Sequence, residues 1–216
     1  MYEGWHGQAR HQQRTSTIAN PGHVRVVRGY HWTVSSAFKT RETFNTEGDA
    51  QELSFSCLRK MPLLRSDHAK TVFLEELNQA RMRMEFEVWA FVLMDDHVHL
   101  LIWPRKSPYS IASILKSIKQ PISQRLVAEL RKSRPEALAR LVSRKKSDRE
   151  VYSIWQPGGG YDRNVHSRSV LQASIEYIHM NPVRKGLVQS PLDWDWSSAR
   201  QYHGEGLCKF VVDFPH

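Results

Sequence analysis

Alternating apolar and polar residues mark the start of a folded region near residue 51. In "ELSFSCL", Leu53, Phe55 and Cys57 alternate with Ser54 and Ser56, a pattern typical of a half-buried strand. The following segment, "SDHAKTVFLEELNQARMRM", places apolar residues at helical spacing behind a serine and an aspartate that can cap a helix. The pattern therefore predicts a strand followed by a helix.

The central part of the sequence predicts a hairpin and a second helix. Two β-prone runs, "FEVWAFVLM" and "HVHLLIW", are separated by the tight turn Asp95–Asp96. In "SIASILKSIKQPISQRLVAELRKS", Ile111, Ile114 and Ile118 share one helical face, and we expect Pro121 to kink this helix rather than end it.

The pattern weakens beyond this helix. A short surface helix is expected in "RPEALARLVSRKKSDRE", followed by a last strand, "VYSIWQ", and a glycine-rich loop, "PGGGYDRN". A final helix, "SRSVLQASIEYIHMNPV", can be capped by Ser167 or Ser169 and must end near Asn181, before Pro182. The element order β-α-β-β-α-β plus one more helix predicts an α+β, ferredoxin-like antiparallel sheet.

The chain divides into two parts by composition. Residues 1–43 are polar and basic without a sustained period, and we interpret them as an extension that is either disordered or orders on nucleic acid. Residues 44–216 form the predicted domain, with a basic helical insert at about residues 131–150. The stretch Arg131–Arg149 holds eight Lys or Arg and two acidic residues, which suits either a solvated surface or a contact with a DNA hairpin.

Composition favours a polyanionic partner. There are 31 Lys and Arg against 22 Asp and Glu, a formal charge of +9, and clustered cations bind phosphates by releasing counterions. The two cysteines, Cys57 and Cys208, form neither a CxxC pair nor a zinc ligand set, and Cys57 is expected to be buried. Because no apolar window is long enough to span a membrane and no signal peptide is apparent, we expect a cytoplasmic protein without a membrane partner.

Two histidines interrupt the apolar run "MDDHVHLLIWP". Side chains alternate along a strand, so His97 and His99 point to one face and Val98 to the other. Two imidazoles on one face can share a divalent ion. With 11 histidines in 216 residues, however, chance alone gives about half of one His-x-His pair. A hydrogen-bonded pair on a solvated face remains the alternative.

The last helix adds two residues with suitable chemistry. In "EYIHMNPV", Tyr177 and Asn181 are four residues apart and share one helix face. A tyrosine hydroxyl can act as a nucleophile if nearby positive charge favours its phenolate, and a carboxamide oxygen can bind a hard cation. Core packing of Tyr177 and a helix-terminal role for Asn181 are the alternatives.

The chain resembles the HUH-type single-tyrosine transposases, in the branch of the REP-associated tyrosine transposases. Four stretches carry the resemblance: "LSFSCLRKMPLL", "WAFVLMDDHVHLLI", "WQPGGGYDRNV" with "IEYIHMNPVRKGLV", and "DWDWSSAR". They span about residues 51–203 in the order of the family. "HVHLL" is generic, whereas "YIHMNPVRKGLV" followed by "DWDWSSAR" is distinctive.

The resemblance implies a site and a reaction. Tyr177 would be the nucleophile, and His97, His99 and Asn181 would surround a Mg²⁺ or Mn²⁺ ion. The family cleaves and rejoins single-stranded DNA beside hairpin-forming palindromic repeats through a 5′-phosphotyrosine link. Members of this branch are mostly monomeric, whereas transposon relatives exchange the tyrosine helix between subunits, so a monomer or a homodimer is expected. Bound to DNA, the protein would associate with the nucleoid.

Single-stranded DNA requires aromatic stacking platforms and a positive groove. The candidate stacking residues and phosphate contacts are Trp155, Tyr161, Trp194, Trp196, Arg163, Arg168, Arg184 and Lys185. Core packing is the alternative for each tryptophan, and "DWDW" in particular indicates a clamp that holds the C-terminal tail on the body. Gly158, Gly159 and Gly160 allow either a close backbone approach to a ligand or a flexible loop.

Two other functions fit the same residues. A domesticated DNA-binding protein would keep the fold without turnover, although the intact set of Tyr177, His97, His99 and Asn181 argues against decay. A metal-dependent hydrolase would use water and a carboxylate base, but the turn at Asp95–Asp96 is expected to carry both carboxylates away from the ion.

Overall fold

The core of the molecule is a four-stranded antiparallel sheet. The computed structural model describes residues 46–146, 149–158, 160–205 and 208–216. The strands are β1 (Ala50–Ser56), β2 (Phe86–Leu93), β3 (His97–Pro104) and β6 (Tyr161–Val165), and they lie in the order β2-β3-β1-β6. All neighbouring pairs are antiparallel. This order is that of the ferredoxin-like fold, so the predicted fold class is confirmed.

Three long helices cover the two faces of this sheet. Helices α1 (Asp67–Met84) and α2 (Ile111–Ser133) pack on one face, and α4 (Arg168–His179) packs on the other. Each begins at a serine, since the hydroxyls of Ser66, Ser110 and Ser167 accept hydrogen bonds from the first-turn amides. Helix α2 continues through Pro121, as expected.

Strand alternation gives each face its own apolar core. Leu53, Phe55, Val98 and Leu100 point towards α1 and α2, and Cys57 continues this row. Burial raises the pKa of the Cys57 thiol to about 12, which fits the predicted buried role. On the other face, a smaller cluster packs beneath α4; it comprises Ala50, Ala90, Val92, Leu101, Val165 and Ile178.

The predicted helical insert at about residues 131–150 is wrong for its second half. Residues up to Ser133 belong to α2, and one helical turn, α3 (Pro135–Leu138), is followed by a 3-10 turn at Ala139–Leu141. The chain then forms a separate hairpin of β4 (Val142–Lys146) and β5 (Arg149–Tyr152). The high density of basic residues hid the strand signal in its short β-prone segments, Val142 among them.

The fourth strand of the main sheet is also not the predicted one. In "VYSIWQ", Val151 and Tyr152 belong to β5, and Trp155 forms an isolated bridge with Cys57. The sheet is completed instead by Tyr161–Val165, which the sequence placed in a loop. This strand lies at the sheet edge, and only Val165 is buried. Its polar composition therefore gave no strand pattern.

The C-terminal tail runs back across β2. It contains α5 (Asn181–Arg184), a 3-10 turn at Pro191–Asp193 and α6 (Ala199–Tyr202). The indole N–H of Trp194 donates to the Leu93 carbonyl at 3.0 Å, and the Leu93 amide donates to the Trp196 carbonyl at 2.8 Å. The predicted clamp of "DWDW" on the body is therefore confirmed.

Two of the sequence predictions concern residues at the edges of this fold. The predicted extension, residues 1–43, lies outside the described residues, as does Gly159. Within the described ranges, no helix combines the length and apolar character that crossing a membrane requires.

Candidate active site

His97 and His99 lie on the face of the sheet that α4 covers. Their neighbours Val98 and Leu100 point into the opposite core, as the strand period requires. The two imidazole rings are 5.1 Å apart between centroids and meet edge to face. On the adjacent strand, Ser56 is paired with His97 and Ser54 with His99, so small polar side chains leave the histidine face uncrowded.

Asp96 orients His97. The Nδ1–H group of His97 donates to Oδ1 of Asp96 at 2.6 Å. This hydrogen bond fixes the orientation of the ring and leaves Nε2 as the nitrogen that does not contact Asp96. A carboxylate behind an imidazole is a common outer contact of metal-binding histidines. Asp96 was expected to be a turn residue that points away from the site; its position directly before "HVH" is the signal that could have indicated this contact.

His99 is buried and electrically neutral at physiological pH. Burial lowers its pKa to about 4, and the neighbouring His97 contributes in the same direction. Its Nδ1 atom is buried without a hydrogen-bond partner among the described residues. A buried polar atom without a partner is costly unless something binds it, so this nitrogen is available to a ligand.

Tyr177 lies directly against His99. The two ring centroids are 5.5 Å apart, with the rings nearly perpendicular. Tyr177 is on the last turns of α4, and the residue is 41% exposed. The guanidinium of Arg184, on α5, stacks over the Tyr177 ring at 4.7 Å. The structure thus brings together the predicted nucleophile, a predicted phosphate contact and the histidine pair.

Asn181 is buried at the junction of α4 and α5. Its Nδ2 donates to the Tyr177 carbonyl at 2.9 Å, which ties the residue to the tyrosine-bearing turn. The amide oxygen keeps its acceptor capacity, since no partner within the described residues occupies it. Asn181 is only 5% exposed, a level that is unusual for asparagine unless its polar atoms are used.

The donor set suits a hard or borderline divalent ion. The imidazoles of His97 and His99 and the carboxamide oxygen of Asn181 would offer three donors, and Mg²⁺ or Mn²⁺ would complete an octahedral shell with water or phosphate oxygens. Within the described residues, no group of three or more His, Cys, Asp or Glu could hold a metal. An ion at this site would therefore need the Asn181 oxygen and oxygens from water or a substrate as well as the two histidines.

The turn before His97 is held by a buried lysine. Nζ of Lys70 donates to Oδ1 of Asp95 at 2.9 Å and to the Arg65 carbonyl at 3.1 Å. Arg65 also donates to Asp95, at 3.3 Å. These contacts turn the Asp95 carboxylate towards α1, as expected, while Asp96 remains beside His97.

A second polar cluster holds α4 on the sheet. Oε2 of the buried Glu52 accepts hydrogen bonds from Arg163 at 2.5 Å and from the Ser174 hydroxyl at 2.8 Å. Ser174 is three residues before Tyr177, on the same helix. The guanidinium of Arg163, a predicted phosphate contact, is therefore already engaged with Glu52 and Ser174. Its DNA contact stays a prediction, and its visible role is to anchor the tyrosine helix.

The other polar candidates lie at different distances from the site. Arg168 is exposed on the first turn of α4, nine residues before Tyr177 and so about 13 Å away along the helix axis. Lys185 is exposed next to Arg184. Tyr161 is 53% exposed and pairs with Ser54, whose other neighbour is His99. Of the predicted stacking residues, Tyr161 is the one on the histidine face.

Gly160 allows the chain to enter β6 beside the site. Its φ is +74°, and a Cβ there would lie 2.0 Å from the Ser54 carbonyl oxygen. The close approach that the glycine-rich loop predicted is therefore made to the backbone of β1.

The predicted DNA contact of Trp155 is wrong. Trp155 is 7% exposed in the core between the sheet and α1–α2, on the face opposite the histidines. Its ring meets Phe55 edge to face at 5.0 Å, and its N–H donates to the Lys119 carbonyl at 3.0 Å. The bridge to Cys57 turns its side chain inward. The other two tryptophans, Trp194 and Trp196, contact Leu93 of β2 and hold the C-terminal tail on the body.

Comparison with known proteins agrees with this geometry. Residues 53–147 match the family model of IS200-like transposases. A Haemophilus influenzae protein assigned by name to the REP-associated tyrosine transposases is 23% identical over 139 residues, covering 61% of this chain and 73% of its own length. The resemblance to the REP-associated tyrosine transposases is confirmed.

A solved structure shares the transposase fold. It is described as a REP-associated tyrosine transposase bound to a REP hairpin, and it superposes with a TM-score of 0.60 at 16% identity. The alignment covers 82% of this chain and 93% of that chain. The matched region of the IS200-like family model contains His97, His99 and their turn, while Tyr177 and Asn181 lie beyond it.

Proposed function

We propose that this protein is a metal-dependent single-stranded DNA endonuclease and strand transferase that acts through a covalent phosphotyrosine link. The observation that carries the proposal is the contact of Tyr177 with His99, at 5.5 Å between ring centroids. It places an exposed phenol beside an imidazole pair that can hold a cation, with Arg184 over the same ring.

The proposed reaction conserves bond energy. The Tyr177 oxygen attacks a phosphodiester phosphorus, forming a Tyr–O–P bond to the 5′ side of the strand, while the P–O3′ bond breaks. The phenol loses its proton and the released 3′ oxygen gains one, so a free 3′-hydroxyl results. Because the covalent link retains the phosphodiester's bond energy, a 3′-hydroxyl can reverse the step and join strands without a nucleotide cofactor.

His97, His99 and Asn181 would hold Mg²⁺ or Mn²⁺. When bound, the ion would polarise the scissile phosphate and offset negative charge in the transition state. The protein's own groups prepare this site: Asp96 fixes the His97 ring, burial keeps His99 neutral, and Asn181 is tied to the tyrosine turn. Arg184 supplies positive charge where the phenol must lose its proton.

We propose hairpin-forming DNA with a single-stranded extension as the substrate. A fold relative is described with a REP hairpin bound, and the histidine face carries exposed aromatics, Tyr161 and Tyr177, that suit unpaired bases.

The test is a covalent-adduct assay. The protein is incubated with end-labelled hairpin DNA and Mn²⁺, and products are separated on a denaturing gel. We expect an adduct that disappears in Tyr177→Phe and persists in Tyr161→Phe, the matched tyrosine on the same face. Binding without an adduct would favour a non-catalytic DNA-binding protein, and cleavage that survives Tyr177→Phe would favour a water-dependent hydrolase.

A further inference from the structure

A closed set of three hydrogen-bonded side chains lies between the sheet and α4. Its members are Glu52 on β1, Arg163 on β6 and Ser174 on α4, and we call it the Glu52 cluster. The guanidinium of Arg163 donates to Oε2 of Glu52 at 2.5 Å and to the Ser174 hydroxyl at 2.9 Å. The Ser174 hydroxyl in turn donates to the same Glu52 oxygen at 2.8 Å. Two strands and the tyrosine-bearing helix therefore meet at one carboxylate.

The Glu52 cluster places charge where apolar side chains would also fit. Glu52 is 4% exposed and Ser174 is completely buried. Ala50, two residues before Glu52 on the same face of β1, belongs to the apolar cluster beneath α4. Burying an ion pair costs desolvation energy, and apolar side chains of similar volume are often equally stabilising or more so. The stability of the fold alone therefore does not explain these three residues.

The other contacts of α4 with the sheet are mostly apolar. They come from four side chains: Val170, Leu171, Ile175 and Ile178. Apolar packing is non-directional, so it tolerates small rotations of the helix. The Glu52 cluster is directional, because a rotation moves the Ser174 hydroxyl away from both of its partners and leaves the buried Glu52 carboxylate with one donor fewer. The cluster therefore fixes the rotation of α4 about its axis.

The Glu52 cluster is close to the proposed reacting groups along both elements. On β1, Ser54 follows Glu52 on the same face and is paired with His99 on β3. On α4, Tyr177 is three residues beyond Ser174, and so about 4.5 Å along the helix axis. The cluster thus joins the strand beside the histidines to the helix that carries the tyrosine.

A small rotation of α4 is large enough to affect the proposed reaction. Helical side chains extend to a radius of about 6 Å, so a rotation of about 10° moves their ends by about 1 Å. A misplacement of about 1 Å can lower a reaction rate about 100-fold. The contact between Tyr177 and His99 is therefore sensitive to how the helix is held.

We propose that Glu52, Arg163 and Ser174 are positioning residues, which fix the rotation of α4 and so hold Tyr177 in the geometry for attack on DNA. The inference rests on the proposed function for its reaction. It gives the three residues a role in the rate of strand cleavage that is separate from their effect on the stability of the fold.

The test replaces the whole cluster without changing the net charge. In Glu52→Leu/Arg163→Met/Ser174→Ala, apolar side chains fill the buried space. We expect the midpoint of urea unfolding to stay the same or rise, while the single-turnover rate of adduct formation falls about 10- to 100-fold. Fluorescence anisotropy with a labelled DNA hairpin that carries a single-stranded extension, the hairpin probe, should give an affinity within about threefold of wild type.

Two single substitutions separate positioning from folding. Ser174→Ala keeps the Glu52–Arg163 pair and favours a helix, so it tests the proposal even if the triple variant does not fold, and its adduct rate should fall about three- to tenfold. Leu171→Ala, at a half-buried apolar position of the same helix, is the control. It should lower the urea midpoint but leave the adduct rate within about twofold of wild type.

Fluorine NMR gives a second measurement that needs neither DNA nor metal. Tyrosine is replaced by meta-fluorotyrosine, and the Tyr177 resonance is identified by its loss in Tyr177→Phe. Because the Tyr177 ring lies against His99, we expect this resonance to shift or broaden in Ser174→Ala and in the triple variant. It should stay in place in Leu171→Ala.

The possible outcomes are distinct. An unchanged adduct rate or an unchanged Tyr177 resonance in Ser174→Ala would overturn the positioning role. A loss of rate that follows the loss of stability in every variant, Leu171→Ala included, would overturn it as well. Failure of the wild-type protein to form an adduct would count against the proposed reaction alone, because the fluorine measurement does not depend on cleavage.

Discussion

Nζ of Lys70 lies 2.9 Å from Oδ1 of Asp95, and this buried ion pair joins two distant motifs. The Lys70 side chain is only 3% exposed, and its ammonium also lies 5.5 Å from the Trp194 ring and 5.8 Å from the Trp196 ring. The turn of "MDDHVH" and the tail clamp "DWDW" therefore share one cation on α1. Lys70 thus links the turn that precedes His97 to the segment around Trp194 and Trp196.

Lys70→Met should destabilise the fold by about 2–3 kcal/mol, because it keeps the buried alkyl volume but leaves the exposed Arg65 as the one charged partner of Asp95 among the described residues. Urea unfolding measures the change. Lys116→Met, at an exposed position of α2, is the control and should stay within about 0.5 kcal/mol of wild type. Equal effects of the two substitutions would show that the ion pair contributes nothing.

Gly160→Ala should cost at least about 1 kcal/mol more than Gly158→Ala. Both glycines have positive φ, of +74° and +96°, so both substitutions carry the penalty of a left-handed alanine. The Cβ at residue 160 would also lie 2.0 Å from the Ser54 carbonyl oxygen, whereas the Cβ at residue 158 would meet nothing within 4 Å. Thermal unfolding of the two variants compares them directly, and similar Tm values would contradict the close approach.

The folded state should lose stability as the pH falls from about 6.5 to 4. Burial lowers the pKa of both His99 and His179 to about 4, so the unfolded chain binds more protons than the folded one in this range. Stability is therefore complete above the unfolded value of about 6.5 and declines by up to about 1.4 kcal/mol per pH unit for each histidine.

Urea unfolding at several pH values, with a chelator present, checks this dependence. His179→Gln should remove its share of the slope, because the buried ring, whose Nε2 contacts the Ser198 hydroxyl at 2.8 Å, no longer titrates. Asn78→Gln, at an exposed position on α1, is the control and should leave the slope unchanged, because it removes no titrating group. An unchanged slope in His179→Gln would mean that this ring is not the buried neutral base.

The sequence predicted the elements whose pattern reflects burial on one face. Leu53 and Phe55 alternate because β1 packs on α1 and α2, and His97 and His99 share a face for the same reason. The edge strand at Tyr161 and the hairpin at Val142 escaped prediction, since neither buries a full face.

The predicted contact of Trp155 was wrong because the presence of an aromatic residue in the sequence does not show which face of the sheet its side chain occupies. Asp96 was missed since its contact with His97 depends on a turn pinned by Lys70.

Asp96→Asn should weaken Mn²⁺ binding about 10- to 100-fold, the usual effect of losing an outer-shell partner of a ligating histidine. The amide oxygen can still accept a hydrogen bond from His97, but the side chain no longer carries the negative charge that balances the positive charge of the ion. Isothermal titration calorimetry with Mn²⁺ alone measures the affinity. Asp67→Asn, in the first turn of α1, is the matched control, and an equal affinity in both variants would show that Asp96 does not support the site.

His97→Ala should abolish DNA cleavage while sparing most of the DNA affinity. The substitution removes one proposed metal ligand and leaves exposed cations such as Arg184 and Lys185 intact, and affinity for DNA arises mainly from cations that release counterions. Anisotropy with the hairpin probe and the denaturing-gel assay, run on one preparation, give both quantities. We expect affinity within about threefold of wild type with no detectable adduct. A loss of binding as large as the loss of cleavage would mean that the histidine face, rather than the surrounding cations, holds the DNA.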